Sequence, residues 1–228
     1  YYKKNFCVRI IKIPSNLETG YSERTLGSLI WKKLKKPKVD FSHPNTKFYF
    51  IFTKEKIFVC LEILEIDKKN LRLRDAKFRP GFHPSTMNAL FARALVNLSS
   101  VKSMDKLLDP FCGVGGILVE AGLLKCQLVG YDIDKVMIKK CIKNLEFYKI
   151  HNFNVEVGDA LDSKTIVDAV VTDPPYGRHS SLHGKSINFL YNSFIKVAYK
   201  ILKKNRKMVL VIPDNIDVKF GKFKLRVK

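Results

Sequence analysis

The sequence predicts an α/β protein: an open, mostly parallel, Rossmann-like sheet over residues 88–228, preceded by a small α+β unit over 1–70. Three observations carry this prediction. From Met87 onward, short apolar runs alternate with stretches of helical periodicity, as in strands covered by helices on both faces. Two of those runs end in an aspartate followed by proline, Asp109-Pro110 and Asp173-Pro174, the punctuation of strands that stop at a turn. Residues 1–75 follow a different plan, with two apolar runs separated only by a tight turn.

In the first unit, 6–13 reads as a strand and 14–20 as a loop. Leu26, Leu29, Ile30 and Leu34 recur at helical spacing, so a helix is expected over 23–36, stopped by Pro37. Strands over 47–53 and 56–63 flank Lys54-Glu55 and make a hairpin. Residues 68–88 are polar and basic, with Arg72, Arg74, Lys77, Arg79-Pro80-Gly81 and His83-Pro84, and 71–87 is expected to link the domains. Beyond it the expected order is a helix over 88–98, a strand over 106–109, a Gly-rich turn, and a helix over 117–125. Next come a strand over 127–132, a helix over 135–148, and strands over 154–157 and 168–172. A helix over 187–202 and a strand over 207–212 complete the pattern.

Composition narrows the function. Of 228 residues 46% are hydrophobic, enough for a folded core, and the formal charge is +21. Residues 1–80 hold 19 Lys/Arg against 8 Asp/Glu, while the longer remainder holds 23 against 13. Basic density is therefore highest in the first third, in clusters such as Lys32-Lys33-Leu34-Lys35-Lys36, and nucleic acid is the expected partner. Five cysteines form no CxxC pair, which argues against a disulfide framework or a metal site and for a reducing, cytoplasmic location. No apolar run reaches membrane-spanning length and no signal peptide opens the chain, so no membrane association is expected. The first residue is Tyr, which reads as the start of a piece of a longer protein.

Four strand ends carry the chemistry. The first is Asp109-Pro110-Phe111-Cys112-Gly113-Val114-Gly115-Gly116, whose glycines let backbone approach a ligand. About twenty residues on, Asp132 closes the next strand, where an acid typically accepts from ribose hydroxyls. Asp159 follows another strand and suits an adenine amine. Leu118 stands where a dinucleotide fingerprint would need its third glycine, so a nucleoside without a pyrophosphate, such as S-adenosylmethionine, fits better. The fourth end is Asp173-Pro174-Pro175-Tyr176. There a carboxylate and the Pro174 carbonyl can accept from one planar NH2 group while Tyr176 stacks on its ring. Pro-Pro-Tyr-Gly is also an ordinary way to end a strand, and each acid alone is also an ordinary turn residue.

Together Asp109–Gly116, Asp132, Gly158-Asp159 and Asp173–Tyr176 resemble the motifs of S-adenosylmethionine-dependent amino-methyltransferases. Within these the chain is most similar to archaeal tRNA (guanine-10-N2) methyltransferases with an N-terminal RNA-binding THUMP domain. Residues 38–45, Arg79-Pro80…His83-Pro84 and Gly177-Arg178…Ser180-Ser181 add to the likeness. The resemblance implies a class I methyltransferase sheet over 88–228, a partial THUMP-like domain over 1–70, a monomer, and methylation of the exocyclic amine of guanosine 10 of tRNA. It implies that Asp109, Pro110, Phe111, Gly113, Gly115, Gly116, Asp132, Ile133, Asp159 and Ala160 bind the cofactor, with His83 and Thr86 at its methionine end. Asp173, Pro174 and Tyr176 would be catalytic, and Pro175, Gly177 and Arg178 would touch the substrate. A longer N-terminus and a closing C-terminal hairpin, usual in the family, are absent from this sequence. Related enzymes acting on position 6 often carry Asn in place of Asp173, so the aspartate favours position 10. Another tRNA or rRNA position, a DNA adenine, a protein glutamine amide, and a non-catalytic tRNA-binding role are the competing readings.

Overall fold

The computed structural model describes residues 2–175, 187–214 and 216–224. Two compact units are present, Tyr1–Ile66 and Asp67–Lys228. In the first, β1 (Phe6–Ile13) runs parallel to β2 (Thr46–Thr53), and β2 pairs antiparallel with β3 (Ile57–Leu61). Helix α1 (Glu23–Trp31) begins at Ser22, whose side chain accepts from the Thr25 amide. It ends earlier than the apolar spacing predicts: the Leu34 amide turns back to the Trp31 carbonyl, while Leu34 still packs against the core of Phe6, Val8, Leu26, Phe50 and Phe52.

The second unit holds a five-stranded sheet in the order β6-β5-β4-β7-β8. Its strands are β4 (Lys106–Asp109), β5 (Gln127–Asp132), β6 (Phe153–Val157), β7 (Val167–Thr172) and β8 (Leu202–Leu210), and every pair is parallel. Strand alternation assigns the two faces. Leu107, Leu128, Ala169 and Val171 meet residues of α3 (Ala89–Ser99), α4 (Gly116–Gly122) and α5 (Lys135–Phe147). Leu108, Val129 and Val170 meet Phe194, Ala198 and Ile201 of α6 (Ile187–Ile201) on the other face. The chain steps outward from β4 through β5 to β6, then returns to place β7 on the far side of β4. That reversal opens a crevice beyond the carboxyl ends of β4, β5 and β7, where ligands settle in such sheets.

Two local predictions need correction. Residues 71–87, expected to be a linker, pack within the second unit. Helix α2 (Lys68–Arg72) is capped by Asp67, and a short 3-10 turn, Ala76–Phe78, follows. The segment is then locked to α5 by Asn144, 0% exposed, which accepts from the Gly81 amide at 2.7 Å and donates to the Gly81 and Val114 carbonyls at 3.1 and 2.8 Å. Strand β8 also begins at Leu202, not at 207, because its polar run is an edge: Lys203 and Arg206 pair with Asp168, at 2.9 and 3.0 Å.

Gly81 lies so close to α5 that a Cβ there would overlap the Lys140 carbonyl and stand 2.9 Å from Asn144 Oδ1. Gly81→Ala is therefore expected to cost about 1–3 kcal/mol of stability through overpacking. Urea denaturation checks this, and an unchanged midpoint would contradict so close a docking.

Candidate active site

The strand ends deliver their residues to one cavity of about 490 Å³. Asp109 ends β4, Asp132 ends β5, Asp159 lies just past β6, and Asp173 just past β7. All four line the cavity, with Pro110, Phe111, Gly113, Gly116, Ile133, Ala160, Pro175, His83 and Thr86. Gly115 and Pro174 do not. Gly115 has φ +82, and a Cβ on it would stand 2.6 Å from Cys141 Sγ, so this glycine lets the loop close against α5. The Pro174 carbonyl points to Tyr191, whose hydroxyl donates to it at 3.4 Å. Tyr176, Gly177 and Arg178 lie outside the described residues.

Each acid has a distinct setting. Asp132 shapes the Gly-rich loop, its two oxygens accepting from the Gly113 and Asp134 amides, both at 2.9 Å. Its carboxyl is shifted upward by burial, which those amide bonds oppose. Asp109, 2% exposed, accepts from the Thr172 hydroxyl at 2.7 Å and the Phe111 amide at 3.3 Å. Burial outweighs both and pushes it up to about 7. Asp159 uses Oδ1 to cap the short turn Ala160–Asp162, accepting from the Leu161 amide at 2.8 Å. Asp173 is the exception: its Oδ1 is buried and accepts nothing among the described residues. Burial alone pushes its carboxyl up to about 6.

The rest of the wall is apolar or small. Half-exposed Ile133, Met137, Leu161 and Leu190 supply flat surfaces for a ring, and Phe111 is held edge-on to Phe194, centroids 5.5 Å apart. His83 Nδ1 is 2.7 Å from the Ser85 hydroxyl. Among the described residues there is no group of three metal-ligating side chains, and no helix is long and apolar enough to cross a membrane.

Sequence reasoning missed several residues that build this site. Thr172 fixes Asp109, Asn144 ties the Gly-rich loop to α5, and Glu120 anchors α4. The last two left a usable signal, since each is a lone polar residue within an otherwise apolar helical stripe.

Sheet order, crevice and cavity define a Rossmann-like α/β domain with its ligand site at the topological switch point. The chain belongs to the UPF0020 family, the RMKL-like methyltransferase domain, which matches residues 76–221. It is 37% identical over 222 residues to a tRNA (guanine(10)-N2)-dimethyltransferase of Methanothermobacter thermautotrophicus, covering 96% of this chain and 65% of that protein. A protein of the same name from Methanocaldococcus jannaschii is 32% identical, covering 94% and 64%. This chain thus spans about 65% of the length of the curated relatives it matches. TrmN from Thermus thermophilus shares the fold, with a TM-score of 0.53, 20% identity, and coverage of 90% of this chain and 60% of that one.

Proposed function

We propose that the chain is the methyl-transferring part of a tRNA (guanine-10-N2) methyltransferase that uses S-adenosylmethionine. One observation carries the reading: a carboxylate oxygen, Asp173 Oδ1, is buried beside the cavity without a donor among the described residues. A buried acceptor left empty is costly, and a base amine is a ligand group that would fill it. The names of the relatives support the base and its position, and the basic first unit supports RNA as the partner.

The residues present fit such a cofactor. Asp132 has lone pairs left for ribose hydroxyls, Asp159 stands at the place for an adenine amine, and Ile133 and Leu161 can flank the ring. Gly113 and Gly116 allow close approach, and Asp109 offers a buried charge to the amino-acid end, near His83 and Thr86. When bound, S-adenosylmethionine supplies an electrophilic sulfonium methyl. Asp173 would hold one amine hydrogen, aim the nitrogen, and take its proton as the N–C bond forms and the sulfur–methyl bond breaks, with S-adenosylhomocysteine as the leaving group. The Pro174 carbonyl, which accepts a long bond from Tyr191, has a second lone pair for the other hydrogen. Tyr176 stacks on a base drawn out of its helix, and Pro175, Gly177 and Arg178 border it. Residues 1–70 serve as the THUMP-like grip on tRNA phosphates, the protein acts as a monomer, and its place is the cytoplasm.

Because Asp173 must be ionised to accept a proton, the rate of transfer should rise with pH through about 6 and level off above it. The sign follows from the carboxylate being the base, and burial places the rise near 6 because it disfavours the charged form. Single-turnover assays at saturating cofactor check this, and a flat profile between pH 5 and 8 counts against Asp173 as the base. The decisive experiment is nucleoside mass spectrometry of tRNA incubated with the protein and labelled cofactor. Label in N2-methylated guanosine at position 10 is expected, and label confined to DNA, protein or another base sinks the reading.

A further inference from the structure

Arg79 is 4% exposed, yet only its Nε is engaged, donating to the Arg74 carbonyl at 2.7 Å. Both terminal nitrogens are buried and have no hydrogen-bond partner among the described residues. The neighbouring ion cluster does not neutralise it. Glu120 already serves Arg74 at 2.8 Å and Arg93 at 2.9 Å, one acid for two cations before Arg79 is counted. A buried cation without a counter-charge or hydrogen bonds is among the costlier arrangements a fold can hold. Its position shows what would relieve it. Nη1 is 3.7 Å from the point a Cβ on Gly116 would occupy, and that same point is 3.3 Å from Thr86 Cγ2 and 3.9 Å from Met87 Cγ. Thr86, Met87 and Gly116 all line the cavity, so the guanidinium stands immediately behind this part of its wall.

We propose that Arg79 is a positioning residue that supplies the counter-charge for a carboxylate on the bound ligand. On the preceding reading of the cavity, on which this inference rests, that group is the amino-acid carboxylate of S-adenosylmethionine. Thr86 and Gly116 separate the guanidinium from the cavity, and across so thin a dry layer the charge is poorly screened. Asp109 lines the same cavity and offers its carboxyl to the ammonium of the same amino-acid end.

Decarboxylated S-adenosylmethionine keeps the adenosine, the sulfonium and the amine and lacks only the carboxylate, so it isolates the effect. Calorimetric affinities for both ligands should be measured with wild type, Arg79→Lys and Arg79→Met. Wild type is expected to prefer the carboxylated ligand by at least about tenfold, and Arg79→Met to lose that preference, with the decarboxylated ligand changing less than about twofold. Arg79→Lys, which keeps the charge, should retain most of the preference. Parallel weakening of both ligands, or no change in either, overturns the inference and leaves Arg79 a structural residue. Should neither variant fold, nitrogen resonances of arginine guanidinium groups in the wild-type protein decide. One set must shift with S-adenosylmethionine and stay put with the decarboxylated form; a set that ignores both defeats the proposal. Equal wild-type affinity for the two ligands removes Arg79's role alone, whereas failure of wild type to bind either removes the cofactor reading with it.

Discussion

Asp173→Ala is expected to lower the rate of methyl transfer by about a thousandfold, within the range for loss of a positioned general base. Cofactor affinity should stay within about twofold, because Asp173 Oδ1 is unpartnered among the described residues and the Gly-rich loop hangs on Asp132. Asp173→Asn separates the two duties of the side chain. It keeps an acceptor for the amine hydrogen but has no basicity near neutrality, so it should retain part of the rate and lose the rising limb near pH 6. Asp132→Ala should show the opposite pattern, weakening cofactor binding first, because both of its oxygens order the loop and the turn beside it. Equilibrium binding and single-turnover rates on the three variants distinguish these cases. If Asp173→Ala lost cofactor binding and rate together, its assignment to the acceptor side would be wrong.

Glu120→Gln should be the most destabilising conservative change in the domain, by about 3–5 kcal/mol, since it removes the fully buried charge that two partly buried guanidinium groups share. Glu120 is 0% exposed, and its carboxylate receives Nε and Nη2 of Arg74 at 2.8 and 2.9 Å and Nε of Arg93 at 2.9 Å. Those bonds join α4 to α3 and to the segment after α2, and Arg74 in turn holds Arg79 through its carbonyl. The loss is a large part of the roughly 5–15 kcal/mol that stabilises a typical domain. Lys203→Gln makes a useful control, because its partner Asp168 keeps Arg206 and the lysine is half-exposed. Denaturant midpoints compared across the two variants give the result. Equal shifts would mean that Glu120 is no more than a surface-strength ion pair.

The site residues that sequence exposed share one property: they sit where a strand stops. Asp109, Asp132 and Asp173 follow apolar runs and precede proline, glycine or a helix cap, and such breaks in pattern are local. The residues it hid act at a distance. Thr172 reaches Asp109, Asn144 reaches Gly81, and Arg74 reaches Glu120 across separations of 63, 63 and 46 residues. The segment over 71–87 was obscured for the same reason, since its arginines read as solvent-facing until their partner on α4 is in place. The polar start of β8 was hidden likewise, because an edge strand there exchanges its apolar signal for charge pairs with Asp105 and Asp168.

By itself the sequence determined the alternating architecture, the basic character of the first unit, and the four acids at strand ends, because periodicity and chain-breaking residues act over a few positions. Only the tertiary structure decided that those acids share one cavity, that Gly115 serves packing against Cys141, and that the terminal nitrogens of Arg79 are buried with no hydrogen-bond partner among the described residues. Burial and pairing depend on which distant segments meet, and that is a property of the folded arrangement rather than of any short stretch of chain.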